Sequence, residues 1–132
     1  MYYIVYLSSA YKLLTEDELK EIVNTSNKNN TRLGITGMML YNEGNFIQVL
    51  EGEEEIVKNR YSIIENDSRH FGILVLTDGH IENRTFPDWS MGFKMIPAFE
   101  FSQFDQFKNT KERLGNDSSH PAIALLKSFS IL

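Results

Sequence analysis

The sequence predicts an α+β sandwich of the ferredoxin-like kind: a βαββαββ order with a mixed sheet, two helices on one face, and a short C-terminal helical extension. Three observations carry this expectation. Short β-branched and aromatic runs alternate with apolar stripes of helical spacing. A capping box at Thr15 and Glu18 marks a helix start. An Asn42-Glu43-Gly44 turn joins two extended runs.

Taken in order, Tyr2 to Leu7 forms a first strand with Tyr2, Ile4, Tyr6 and Ser8 on one face and Tyr3, Val5 and Leu7 on the other. The capping box, with Leu14 and Leu19 placed as a hydrophobic staple, starts a helix at about Glu16. Its inward stripe is Leu19, Ile22 and Val23, and the same spacing continues through Ser26, Asn29 and Asn30, so polar residues extend a core-facing stripe. Ile35 to Tyr41 and Asn45 to Leu50 form a hairpin, with Gly44 supplying the positive φ. In its second strand Phe46, Gln48 and Leu50 face one way and Ile47, Val49 and Glu51 the other.

Glu53, Glu54 and Glu55 open a second helix with the stripe Ile56, Val57, Arg60, Tyr61, Ile63 and Ile64, ending near Asn66. Phe71 to Thr77 is a fourth strand. Trp89 to Lys94 is a fifth, after a polar loop closed by Pro87, with Trp89, Met91 and Phe93 on one face. Two helical patterns follow: Phe101, Phe104 and Phe107, then Ala122, Leu125, Leu126 and Phe129 with Pro121 in the first turn. Two helices cover only one face of the sheet, so the tail either covers the other or pairs between subunits.

A length of 132 residues allows one domain with a modest core. The formal net charge of −5 disfavours nucleic acid and anionic membrane surfaces as partners. Without cysteine there is no disulfide, thiolate nucleophile or cysteine metal site, which suits a reducing compartment. No basic leader region and no apolar run of roughly 20 residues is present, so a cytoplasmic location is expected.

Polar groups converge on the helix-facing layer: Tyr6 and Ser8 from the first strand, Ser26, Asn29 and Asn30 from the first helix, Gln48 from the third strand. An unpaired buried amide or hydroxyl costs roughly 1–3 kcal/mol, so the cluster implies either mutual hydrogen bonds or a polar ligand between helices and sheet. Patterning leaves both open. Asp67-Ser68-Arg69-His70 presents a cation at one mouth of the same cleft. His80 and His120 have no partners at ligand-like spacing, so no metal site is expected. The segment from Gly34 to Gly37 lacks the length and the Lys of a phosphate loop.

The run Tyr6-Leu7-Ser8-Ser9-Ala10, then Asn30, then Gly34-Ile35-Thr36-Gly37-Met38-Met39-Leu40-Tyr41, resembles the BLUF family of flavin-dependent blue-light sensors. Phe46-Ile47-Gln48-Val49-Leu50-Glu51-Gly52, Asp67-Ser68-Arg69-His70 and Trp89-Ser90-Met91-Gly92-Phe93 are similar to later blocks of that family, in the same order. The resemblance covers about residues 1–95 and implies a photosensor domain there; the tail falls outside it, and its own helical patterns make residues 96–132 a helical extension. It implies an isoalloxazine ring between the two helices, as FAD, with FMN and riboflavin as further candidates. Tyr6 would bond Gln48, Gln48 the flavin N5 and O4, and Asn30 the O4 and N3 edge. Asn29, Asp67, Arg69 and His70 would hold the other edge and the ribityl-phosphate part, with Ser26 as a further contact. Ser8, Trp89 and Met91 would relay the signal, Trp89 and Met91 competing for the inward position on the last strand.

By the same resemblance Tyr6 donates an electron on illumination, a proton follows through Gln48, and the changed hydrogen-bond pattern shifts absorption to the red without turnover of a substrate. Output would pass to a separate effector protein from a homo-oligomer. The competing classes are a small flavin-dependent or hydrolytic α+β enzyme using Tyr6, His70 and Arg69 as acid and electrostatic groups, and a non-photoactive domain binding another planar molecule.

Overall fold

The computed structural model describes residues 1–88, 90–107 and 121–130. Its strands are β1 (Tyr2–Ala10), β2 (Thr36–Asn42), β3 (Asn45–Gly52), β4 (His70–His80) and β5 (Gly92–Met95). They form one sheet in the order β4-β1-β3-β2-β5. β1 runs antiparallel to β3 and β4, β2 antiparallel to β3, and β5 parallel to β2, so the sheet is mixed.

Helix α1 (Glu16–Leu33) begins where its cap demands. Thr15 Oγ1 accepts the Glu18 N–H and Glu18 Oε1 accepts the Thr15 N–H, both at 3.1 Å, which satisfies two of the orphan donors of the first turn. Leu14 and Leu19 join the apolar layer under the helices. Helix α2 (Glu54–Glu65) follows Glu53, which caps it by position without a side-chain bond, and stops at Asn66.

The hairpin is tighter than expected. Asn42 pairs with Asn45, so only Glu43 and Gly44 turn, with φ of 41° and 88°. Two positive φ values in a two-residue loop match the strand twist and fix the register.

Strand alternation sorts the core into two layers. Tyr2, Ile4, Tyr6, Met39, Phe46 and Leu50 meet Leu19 and Val57 on the helical side. Tyr3, Val5, Leu7, Met38, Leu40, Ile47 and Val49 face the other side. That second side is covered by α3 (Ala98–Phe101), a 3₁₀ turn over Ser102–Phe107, and α4 (Pro121–Ser130). Phe104, Phe107, Ala122, Ile123, Leu126 and Phe129 all bury there. Of the two roles open to the tail, covering the sheet is the one its apolar stripes perform in this structure. The Phe101-Phe104-Phe107 spacing lines up in a short α-turn continued as 3₁₀, because three residues per turn stack i and i+3 directly.

Two strand expectations need correction. β4 extends beyond Phe71 to Thr77 because all of β1 serves as its template, from Ala10 against His70 to Tyr2 against His80, with register shifts absorbed near Leu76 and at Gly72, φ 64°. β5 starts at Gly92 rather than at residue 89. Ser90 is bonded to α1 instead of to β2: its carbonyl accepts from Asn30 Nδ2 at 2.7 Å and its hydroxyl donates to Asn27 Oδ1 at 2.7 Å. Met91 lies buried in the helical-side layer, and Trp89 lies outside the described residues.

Candidate functional site

The register of β1 against β3 sets Tyr6 directly opposite Gln48, both on the helix-covered face. Cross-strand neighbours stand close enough for their side chains to bond, and Tyr6 Oη donates to Gln48 Oε1 at 2.6 Å. Gln48 Nε2 donates to Met91 Sδ at 3.7 Å. In this orientation the carbonyl end of the amide accepts from the phenol and the NH₂ end faces the sulfur. Tyr6 is 1% exposed and Gln48 7%.

Burial pushes the Tyr6 phenol far above its ordinary pKa; the nearby Tyr61 adds to this and the Arg60 charge opposes it. Tyr61 is pushed up to about 12 by burial and by Glu65. The sign of the linkage follows. A phenol whose folded pKa is raised contributes stability in full below its unfolded value of 10.0 and loses it as pH rises toward the folded value. Unfolding free energy should therefore fall above pH 10, by up to about 1.4 kcal/mol per pH unit from Tyr6. Urea titrations across that range check this, and Tyr6→Phe should flatten the decline.

A cavity of about 650 Å³ opens over this pair. Its floor is Tyr6, Ser8, Met39, Phe46 and Gln48. From α1 come Ile22, Ser26 and Asn29, and from α2 come Arg60, Ile63 and Ile64. Asp67, Arg69 and His70 line it beyond the end of α2, and residues of the segment from Ala10 to Leu14 and further α1 residues, Glu18 and Glu21 among them, also contribute. Arg69 grips Asp67 with Nη2 on Oδ2 at 2.6 Å and Nε on Oδ1 at 3.0 Å, and this pairing pulls the Asp67 carboxyl down to about 2. His70 Nε2 donates to the Ile64 carbonyl at 2.5 Å, tying the start of β4 to the last turn of α2.

Of the residues singled out from sequence, Tyr6, Ser8, Ser26, Asn29, Gln48, Asp67, Arg69 and His70 all line this one cavity. Asn30 does not. It is buried behind the lining, with its Nδ2 committed to Ser90. Met91 sits beside the Gln48 amide, out of the lining. Ile22 and Ile64 pack against the helical-side core as their spacing predicts and also line the cavity, whereas Arg60 and Ile63 line it without joining that core, Ile63 being 54% exposed. Their inward spacing was visible, whereas the gap they face was not.

The lining fits a flavin ring. Its volume lies within the roughly 300–1,000 Å³ usual for such ligands. Ile22, Ile63 and Ile64 on the helical walls suit a flat aromatic face. Among the described residues the acceptor for the Gln48 NH₂ is a thioether, which is weak, so it has donor capacity for a carbonyl or ring nitrogen. Among the described residues no group of three or more His, Cys, Asp or Glu is placed to hold a metal. No helix among them is long and apolar enough to cross a membrane.

Comparison with known proteins agrees with this geometry. The family model BLUF, described as sensors of blue-light using FAD, matches residues 1–92. Photoactivated adenylate cyclase subunit beta of Euglena longa is 33% identical over 89 residues, 67% of this chain and 10% of that protein. The blue light- and temperature-regulated antirepressor BluF of Escherichia coli K12 is 38% identical over 69 residues, 52% of this chain and 17% of that protein. Among solved structures, BlrB, a BLUF protein in its dark state, matches with a TM-score of 0.69 at 28% identity, covering 98% of this chain and 93% of that one. A bacterial light-regulated adenylyl cyclase also gives a TM-score of 0.69, at 33% identity, with 98% of this chain matching 34% of the cyclase. The match to both cyclases and to the antirepressor thus spans only a minor part of each. From the family match over residues 1–92 it follows that the chain belongs to the BLUF family of flavin-binding blue-light sensors.

Proposed function

We propose that this chain is a photoreceptor whose switch is the hydrogen-bonded pair Tyr6 and Gln48, signalling to a separate effector without catalysing a reaction itself. The observation that carries this is the uneven partnering of the Gln48 amide. One end holds a 2.6 Å bond from a buried phenol, while the other faces a cavity and a weak sulfur acceptor. Reversing such an amide changes every partner at once.

A bound flavin, excited by blue light, supplies a one-electron oxidant at the Gln48 end of the cavity. Tyr6 is the donor. Its raised pKa keeps the proton on the phenol in the dark, and loss of an electron turns the phenol into a strong acid. The proton then moves along the existing bond to Gln48 Oε1. Gln48 rotates or tautomerises, and Met91 Sδ loses or exchanges its donor. Ser90, tied to Asn27 and Asn30, couples that change to α1 and to β5. Ser8 and Trp89 complete the relay.

Ser26 and Asn29 hold the ring edge, with Asp67, Arg69 and His70 toward the ribityl-phosphate. Asn30, which lies behind the lining with one amide hydrogen on Ser90, would turn the second hydrogen and the oxygen of its amide toward the cavity to meet the ring edge. Residues 1–95 form the sensor and 96–132 its helical extension. FAD is the ligand, with FMN and riboflavin able to occupy the same ring site. Titrating the chromophore-free chain with each flavin tests this. All three should bind, FAD and FMN about ten- to a hundredfold tighter than riboflavin through a charge-assisted bond to Arg69 worth about 1.5–3 kcal/mol. Binding of none of them would refute the assignment.

A further inference from the structure

Tyr6 has a second phenol against it. Tyr61, on α2, sets its ring edge-on to that of Tyr6, with centroids 5.2 Å apart and planes at 61°. Tyr61 Oη donates to Glu65 Oε2 at 3.3 Å, one helical turn on. Tyr6 is buried, Tyr61 half-buried and Glu65 exposed, so the three residues step from the floor of the site to solvent.

The two phenols differ in where their protons can go. Tyr6 faces the neutral carboxamide of Gln48, whereas Tyr61 faces a carboxylate. An oxidised phenol must shed its proton, and a carboxylate takes it far more readily than an amide oxygen does. An oxidising equivalent created on Tyr6 therefore lies lower in free energy on Tyr61. The rings are in contact, so no intervening group is needed to pass the electron.

We propose that Tyr61 and Glu65 form a side exit for the oxidising equivalent generated on Tyr6, competing with the switch; this rests on the photoreceptor reading above. Tyr6 gives one electron to the excited flavin while its phenolic proton moves no farther than Gln48. Tyr61 then gives one electron to the Tyr6 radical, which regains that proton. The Tyr61 O–H bond breaks and an O–H bond forms on Glu65. A one-electron reductant from solution refills Tyr61, and Glu65 returns the proton. The net result is one electron carried from solution to the flavin on each passage.

The test uses the full chain loaded with FAD, under anaerobic blue light with ascorbate as reductant, and follows loss of oxidised-flavin absorption beside formation of the red-shifted state. Tyr61→Phe preserves the ring packing and removes only the hydroxyl; Glu65→Gln preserves the shape and removes the charge. Each should slow flavin bleaching about tenfold, equivalent to about 1.4 kcal/mol in a barrier, with the red-shift yield undiminished. In the chromophore-free chain, Glu65→Gln should also lower the Tyr61 alkaline midpoint from about 12. Bleaching at the wild-type rate in Tyr61→Phe, with the red shift intact, would overturn the exit, as would an unmoved Tyr61 midpoint. A wild-type chain that binds FAD but shows no red shift would instead refute the photoreceptor reading beneath it.

Discussion

Tyr6→Phe leaves flavin binding intact and abolishes the light-induced red shift. The substitution keeps the ring that packs in the helical-side layer and against Tyr61. It removes the hydroxyl that donates to Gln48 Oε1 and that, in the proposed mechanism, gives up the proton. Gln48 loses the bond that fixes its orientation, at a cost of about 1–3 kcal/mol for a buried acceptor left unmet. The cavity lining is otherwise unchanged, since Ser26, Asn29 and Arg69 lie on other elements. Difference spectroscopy on the FAD-loaded variant checks this. A normal photocycle would remove Tyr6 from the mechanism.

Phe104→Ala costs about 3–5 kcal/mol of stability, as large aromatic truncations in a packed core do. Phe104 is 0% exposed and stacks near Phe101, Phe107 and Phe129 on the face of the sheet away from the cavity. Against a typical total of about 5–15 kcal/mol, such a loss leaves the folded state marginal. The result distinguishes a tail that completes the core from one that merely rests on it. Urea unfolding followed by near-ultraviolet circular dichroism measures it, through the midpoint at constant slope. A cost below about 1 kcal/mol would mean that the extension contributes little to the fold.

Local chemistry was legible in the sequence and distant pairing was not. The start of α1 followed from Thr15 and Glu18, because a capping box is a contact between residues three apart. The burial of Tyr6 and Gln48 followed from strand alternation alone. Their direct contact did not, because it depends on β1 lying beside β3 in one register, a choice that no local pattern encodes. The same limit explains β5. Residues 89 to 91 have the apolar alternation of a strand, yet Ser90 donates its hydroxyl to Asn27 and accepts from Asn30 on α1 instead of pairing with β2.

The candidate site shows the same division. Ser26 and Asn29 were visible as polar residues on an inward stripe, and they line the cavity. Asn30 lies on that stripe too, but one helical position rotates it behind the lining and onto Ser90. The spacing of Arg60 and Ile63 tells which side of α2 they face, without telling whether that side is filled. The inward position of Met91 rests on its contact with Gln48, which only the three-dimensional arrangement supplies.

The most direct test of Tyr6 and Gln48 as a light-read switch is the light-minus-dark absorption spectrum of the purified, FAD-loaded chain. Blue light should produce a small red shift of the flavin bands that reverses in the dark, with the flavin fully oxidised before and after. FAD binding with no reversible shift would contradict the account.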